Sequence, residues 1–133
     1  MHCSCQYTYF ESRIYRKVVC SMIPRTLVAA SSRPLVLSIL SQKDSYGYEI
    51  IQHVKQLTGG SMDWKDGMLY PVLQRLEHDG LIGSYWGQSE VGRKRRYYRL
   101  TPKGIEALKK EKQQWLDVHT ALSKLWGPEP CLT

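Results

Sequence analysis

A cluster of basic residues in the second half of the chain is the feature best suited to binding a polyanion. Six cations fall within eleven residues, and Glu90 is the acid close enough to offset them. Guanidinium and ammonium groups at this density bind phosphate oxygens in a salt-dependent way. The alternative is a solvated turn without a partner. The cluster consists of Arg93, Lys94, Arg95, Arg96, Arg99 and Lys103.

A second set of residues precedes this cluster and could contact a nucleic acid from a helix. The amide of Gln74 suits adenine, and Lys65 can bind a guanine or a phosphate. Tyr70 places a hydroxyl near a helix start, where it suits a phosphate oxygen. Ordinary surface positions are the alternative for each of them. We expect an outward, DNA-binding face made of Lys65, Met68, Tyr70 and Gln74, with His78 beside it.

Signals for catalysis and metal binding are missing from the sequence. Its four histidines are scattered, and it contains no phosphate-cradling glycine loop, G-x-S-x-G or H-E-x-x-H motif. Its four cysteines lack the C-x2-C pairing of a zinc site, so we expect free thiols in a reducing cytosol. We therefore predict no enzyme activity, no catalytic residue, no cofactor and no metal.

The element expected to carry the outward face is a short helix that ends at Gly80 in a left-handed conformation. Ser61 or Asp63 is expected to cap its start. Pro71 predicts a kink or a short first turn, and Gly67, four residues earlier, leaves the most room for the proline ring. Spacings of three and four give the helix an apolar stripe. The stripe consists of Leu69, Val72, Leu73 and Leu76.

Two earlier helices are predicted to complete a three-helix core. The apolar run at 34–40 is compatible with a buried strand, but its leucines favour a helix with Pro34 in the first turn. Ser45 is expected to cap the next helix. Its apolar face consists of Ile50, Ile51, Val54 and Leu57. The third helix and the one before it then form a helix-turn-helix.

Two aromatic-rich strands are predicted at 83–88 and 95–100, joined by a turn in which Gly92 takes a positive φ. They form a two-stranded β wing. The strand period of two predicts that one face of the wing is mostly cationic. It separates Arg96, Tyr98 and Leu100 from Arg95, Tyr97 and Arg99.

A final helix of about 24 residues is predicted at 102–126, with Thr101 as its cap. Such a long helix cannot bury its apolar seam against a small core, so we expect it to form a homodimer. Trp115 is expected to be a core or interface residue, and alternatively a stacking platform for a small aromatic effector. Glu111 interrupts the seam, which consists of Leu108, Trp115, Val118, Leu122 and Leu125.

Length and composition fit one small domain with a polyanionic partner. The 133 residues are 42% apolar, with a net charge of +7 and a mean hydropathy of −0.42. No apolar run approaches the roughly 18 residues of a membrane span, so we predict no membrane partner and a cytoplasmic location. The expected organisation is a disordered extension or misassigned start at 1–21, a winged-helix DNA-binding domain at 22–101, a dimerisation helix at 102–126 and a tail at 127–133.

Four segments resemble the PadR family of bacterial transcriptional regulators in the family's order and spacing. They are 46–50 (YGYEI), 67–77 (GMLYPVLQRLE), 79–82 (DGLI) and 97–104 (YYRLTPKG). The likeness covers about residues 24–126, and the single helix after the wing resembles the short subfamily. It implies a homodimeric winged-helix protein, usually a repressor, whose third helix enters the major groove of a palindromic operator.

The resemblance also implies roles for individual residues. Tyr70 matches the tyrosine of the family's LYP motif, and Arg93 to Arg96 match its basic wing. Trp115 falls where some drug-sensing relatives place a tryptophan between the subunits. Asp66 and Met68 depart from the family pattern, so base reading is not transferred to them.

We therefore predict a mainly α fold, with a winged helix-turn-helix of three helices and a two-stranded wing, and a long C-terminal dimerisation helix. The predicted function is a DNA-binding transcriptional regulator: a homodimeric repressor of a palindromic operator, with release by a small-molecule ligand. The alternative is a winged-helix adaptor that binds an acidic protein and has no sequence-specific DNA binding.

Overall fold

The computed structural model describes residues 23–127 of the chain. Its elements, in order, are α1 (Arg25–Gln42), β1 (Ser45–Tyr46), α2 (Gly47–Leu57), α3 (Asp66–His78), β2 (Ile82–Gln88), β3 (Lys94–Leu100) and α4 (Pro102–Trp126). The predicted mainly α winged-helix architecture is confirmed. The extension predicted at 1–21 and all but the first residue of the predicted tail lie outside the described residues. Between residues 23 and 127, no helix has the length and apolarity required to cross a bilayer.

The core lies where α1, α2 and α3 pack together against the base of the wing. The stripe predicted for α3 is confirmed, because Leu69, Leu73 and Leu76 are buried and Val72 is half-buried at its edge. Helical spacing of three and four places these side chains on one face, and the opposite face of α3 remains exposed. The other core side chains include Val36, Leu37, Ile50, Val54, Trp64, Leu81, Ile82 and Tyr98.

Helix α1 is longer than the sequence analysis predicted. It begins at Arg25, so Pro34 lies in its interior and not in its first turn. The proline leaves the carbonyl of Ala30 without its helical hydrogen bond. The helix continues through the proline because the following turns are well packed. Its buried residues there are Val36, Leu37, Ile39 and Leu40.

The wing belongs to a sheet of three strands, not two, in the order β1-β3-β2. Ser45 pairs with Tyr98 and Tyr46 pairs with Tyr97. The prediction that Ser45 caps α2 is therefore wrong: its backbone is extended, and its hydroxyl donates to the carbonyl of Lys43 at 3.3 Å. The N-cap position of α2 is Tyr46. Strand β1, which is the additional strand, attaches the wing to the turn between α1 and α2.

Helix α3 begins later than predicted, at Asp66, with Lys65 at the N-cap position and no side-chain cap. Neither predicted cap acts as one. The hydroxyl of Ser61 donates to the carbonyl of Thr58 at 2.7 Å, and Asp63 accepts from the ammonium of Lys65 at 3.2 Å. The predicted end is confirmed, since Gly80 has a φ of 77°.

Helix α4 spans Pro102–Trp126, with the bounds that the sequence predicted. The hydroxyl of Thr101 accepts from the amide of Gly104 at 3.0 Å, as expected of a cap. Gly104 is buried against Leu81, which directly precedes β2, and against the side chain of Leu100 at the end of β3. A Cβ on Gly104 would overlap the carbonyl oxygen of Leu81. Farther along, Glu111 forms an ion pair with Arg33 and so joins α4 to α1.

Candidate nucleic-acid interface

The exposed face of α3 and its N-cap carry three of the four helix residues predicted to contact DNA. Lys65, Tyr70 and Gln74 are exposed. Met68 departs from the prediction of an outward face, because it is half-buried and packs against the core. It lies one turn from Val72 at the edge of the apolar stripe, so its flexible side chain covers that edge. The face that remains open is polar and aromatic.

Tyr70 lies against the start of α2, which holds its ring in place. A Cβ on Gly47 would lie 3.3 Å from the Tyr70 hydroxyl oxygen and 3.7 Å from Leu69. Glycine at this position therefore lets the ring approach the first turn of α2. Because the N-cap residue Tyr46 makes no side-chain cap, the first amides of α2 are left for other acceptors.

The four wing residues predicted to bind DNA, at 93–96, occupy different environments. Arg93 and Lys94 are exposed at the tip, and neither forms an ion pair with any residue in the described range. The Arg95 guanidinium lies 4.3 Å from the centre of the Tyr46 ring. Arg96 points to the other side of the strand, where its Nη2 donates to the carboxylate of Glu77 at 3.1 Å. The predicted alternation along β3 thus describes two different surfaces.

The outer surface of the sheet combines cations with stacked tyrosines, where the sequence predicted mainly cations. The ring of Tyr97 stacks on Tyr85 with centroids 5.7 Å apart and meets Tyr46 edge-on at 5.6 Å. A Cβ on Gly87 would lie 2.7 Å from the Tyr97 ring, so glycine is required beneath it. Tyrosine faces stabilise the overlying guanidinium of Arg95 through cation–π attraction.

The hydroxyl of Tyr85 donates to Asp44 at 2.7 Å, which links β2 to the turn before β1. This hydrogen bond raises the pKa of Tyr85 above its ordinary value, because it stabilises the protonated phenol. Neither Tyr46 nor Tyr85 was among the residues predicted from the sequence to bind DNA. Tyr46 could not be placed on this surface from the sequence, because the register of β1 has no local signal. The place of Tyr85 opposite Tyr97 follows from the hairpin register.

A concave surface of about 490 Å³ lies between α3 and the wing. Tyr70 and Gln74 line it from α3, and Lys94 and Arg95 line it from β3. Trp86 also lines it and is 70% exposed. Trp86 was not among the residues predicted from the sequence, although its place opposite Arg96 follows from the hairpin register. Five of the eight predicted DNA-binding residues therefore line one shared surface: Tyr70, Gln74, Lys94, Arg95 and Arg96. Lys65, Met68 and Arg93 lie outside its lining.

The predicted seam of α4 is largely open to solvent in the single chain. Trp115 and Val118 are exposed, Leu125 is 83% exposed, and Leu108 is half-buried against the core. Leu122 is half-buried. Three further apolar residues of α4 are exposed and were not part of the predicted seam: Ile105, Leu116 and Trp126. A groove of about 320 Å³ beside it is lined by Pro34, Ser38, Leu108, Lys112, Trp115, Leu116 and His119.

The groups at the interface are suited to binding a polyanion. Across residues 23–127, no three His, Cys, Asp or Glu side chains lie close enough together to hold a metal ion. The interface instead supplies cations, hydroxyls, one amide and aromatic faces. These groups suit phosphate oxygens and base edges.

Comparisons with known proteins agree with this architecture. A family model described as the transcriptional regulator PadR-like family matches residues 36–110. A Lysinibacillus sphaericus protein is 35% identical over 97 residues, which is 73% of this chain and 89% of that protein. The PadR-like transcriptional regulator from Bacillus cereus is 33% identical, with a TM-score of 0.70 over 78% of this chain and 99% of that one. A transcriptional regulator from Clostridium thermocellum is 34% identical, with a TM-score of 0.69 over 77% and 97%. This chain therefore belongs to the PadR family of transcriptional regulators, which bind DNA and are not enzymes.

Proposed function

We propose that this protein is a homodimeric repressor that binds a palindromic operator through α3 and the wing. The observation that carries the proposal is the shared concave surface, which has the exposed face of α3 on one side and basic wing residues on the other. In a winged helix this arrangement places the helix in the major groove and the wing on the flanking backbone. Direct DNA contacts are proposed for Lys65, Tyr70, Gln74, Arg93, Lys94 and Arg95. Met68, at the edge of the core, and Arg96, paired with Glu77, are proposed to support this surface.

The roles of these residues follow from their environments. Gln74 is exposed in the middle of α3 and is the proposed base reader, because its amide matches the edge of adenine. Lys65 and Tyr70 are proposed to bind phosphates near the start of the helix. Arg93 and Lys94 project from the wing tip without intramolecular acid partners in the described chain, so their charge is available to the backbone.

A homodimer through α4 is proposed because the apolar residues of that helix have too little core to cover them. The proposed interface consists of Leu108, Trp115, Val118, Leu122 and Leu125. Its burial in a partner subunit would remove exposed apolar surface from water. A two-fold dimer requires a palindromic site, with half-sites one DNA turn apart, roughly 34–36 Å.

The groove beside Trp115 is the proposed site of a small aromatic effector. It is lined mainly by apolar side chains from α1 and α4, and a planar ligand could stack on the exposed indole. The same residues contribute to the proposed dimer seam. An effector bound there would change the spacing of the two α3 helices and release the operator, which relieves occlusion of the promoter.

Selection of bound duplexes from the source genome, followed by titration at several salt concentrations, tests the DNA-binding proposal. Arg93→Gln and Lys94→Gln should each weaken binding to all sequences and lower the slope of log K against log salt by about one unit. Lys110→Gln, which removes an exposed charge from α4, is the matched control and should leave the slope unchanged. Equal slopes in all variants would contradict the wing assignment. A protein that selects no duplex would favour the adaptor alternative.

A further inference from the structure

The carboxylate of Glu77 lies near the C-terminal end of α3, on the side that faces the wing. Its Oε1 accepts from Arg96 Nη2 at 3.1 Å, and the same nitrogen donates to Ser84 Oγ on β2 at 2.9 Å. The guanidinium of Arg96 also lies 5.8 Å from the centre of the ring of Tyr98, which is buried in the core. One guanidinium therefore joins α3 to both long strands of the wing.

An acid at this place needs an explanation, because Glu77 lines the same concave surface as the basic wing residues. Carboxylates repel DNA phosphates, so such a residue lowers affinity unless it has another role. It is not available as a base reader for cytosine amino groups. Its Oε2 is buried without a hydrogen-bond partner among the described residues, and its Oε1 is occupied by Arg96.

We propose that Glu77 is a positioning residue that sets the angle between the wing and α3 by holding Arg96. This inference rests on the proposed DNA-binding function. The ion pair fixes the base of the hairpin relative to the recognition helix, so that Arg93 and Lys94 reach the backbone while α3 lies in the major groove. Arg96 then contributes to DNA binding through the wing's orientation, and the phosphate contacts come from its neighbours.

The direction in which Glu77→Gln changes the affinity for DNA separates this role from simple electrostatic repulsion. Neutralising an acid that faces DNA normally strengthens binding, because a repulsive charge is removed. If Glu77 positions the wing, Glu77→Gln should instead weaken binding. The two side chains are 34% and 48% exposed, so the expected loss is at the upper end for a partly exposed ion pair, about fivefold in Kd.

Glu90→Gln supplies the matched control. Glu90 is an exposed acid in the wing turn and forms no ion pair among residues 23–127. Kd values of the purified full chain for a selected duplex should fall or stay constant in Glu90→Gln and rise in Glu77→Gln. Equal or tighter binding by Glu77→Gln would overturn the proposal.

Arg96→Gln tests the assignment from the other side of the ion pair. It should weaken binding while leaving the salt slope unchanged, whereas loss of a phosphate contact lowers that slope by about one unit. Because the two side chains act as a unit, the Glu77→Gln/Arg96→Gln double variant should bind as well as the weaker single variant. A lower slope in Arg96→Gln, or additive losses in the double variant, would overturn the proposal. The salt slope of Arg96→Gln decides the assignment even if Glu77→Gln proves too unstable to assay.

A measurement without DNA separates failure of this inference from failure of the proposed function. Amide hydrogen exchange in β2 and β3 should be faster in Glu77→Gln than in wild type and Glu90→Gln, with exchange in α1 unchanged. If wild type binds no duplex, the DNA-binding proposal fails, and exchange alone then decides whether Glu77 orders the wing. Unchanged exchange in both strands would overturn that role.

Discussion

Truncation of Trp115 to alanine tests the proposed dimer, because the size of its effect can be worked from the exposed surface of the single chain. Trp115 is 40% exposed, which corresponds to about 100 Å² of a side chain that can bury up to about 250 Å². At about 25 cal/mol per Å², covering this area stabilises the interface by ~2.5 kcal/mol per subunit, or ~5 kcal/mol per dimer. This is an upper bound, since the partner covers only part of each indole.

Half of the value per dimer is ~2.5 kcal/mol, and losing it raises the dimer dissociation constant by about 60-fold. Sedimentation equilibrium of Trp115→Ala, over a range of protein concentrations, measures this change directly. Trp86→Ala is the control, because Trp86 is even more exposed but lies on the wing. A Trp115→Ala protein that dimerises as tightly as wild type, or equal weakening of the dimer by both truncations, would refute the proposed interface. In either case the uncovered seam of α4 would not be the interface.

Two further predictions concern stability. Gly104→Ala should destabilise the fold by about 1–3 kcal/mol, because the added methyl group overlaps the carbonyl of Leu81. Gly67→Ala has open space around its Cβ and should stabilise α3 by up to ~1 kcal/mol. Urea unfolding measures both changes, and a Gly104→Ala protein as stable as wild type would contradict the packing. Burial raises the pKa of Tyr98, so the protonated phenol is favoured in the folded state and stability falls as pH rises above about 10. Tyr98→Phe should lose less stability than wild type between about pH 9 and 11, and an identical alkaline loss in both proteins would exclude this contribution.

Features that depend on neighbouring residues were predictable from the sequence. The stripe of α3 follows from spacings of three and four, and the end of the helix follows from the need for a positive φ at Gly80. The start of α4 follows from a hydroxyl cap and a proline at the first helical position. These signals are local because the hydrogen bonds that they describe span only a few residues.

Features that depend on distant partners were not predictable in this way. Ser45 is a residue type that often caps helices, yet its pairing with Tyr98, 53 residues later, holds its backbone extended. Glu111 interrupts an apolar seam in sequence, but in the fold it meets Arg33 on α1. Arg95 and Arg96 are neighbours in sequence but have different partners, because Arg96 pairs with Glu77 on α3 and Arg95 lies over Tyr46. In each case a tertiary contact overrides a local preference.

The four tryptophans of the chain occupy separate environments, and this distribution provides a set of optical reporters. Trp64 is 2% exposed in the core, Trp86 lies on the wing, and Trp115 and Trp126 lie on α4. Variants that keep a single tryptophan and carry phenylalanine at the other positions would report core unfolding, wing contacts and subunit association through separate fluorescence signals. Folding, DNA binding and assembly of one unlabelled protein can then be followed independently.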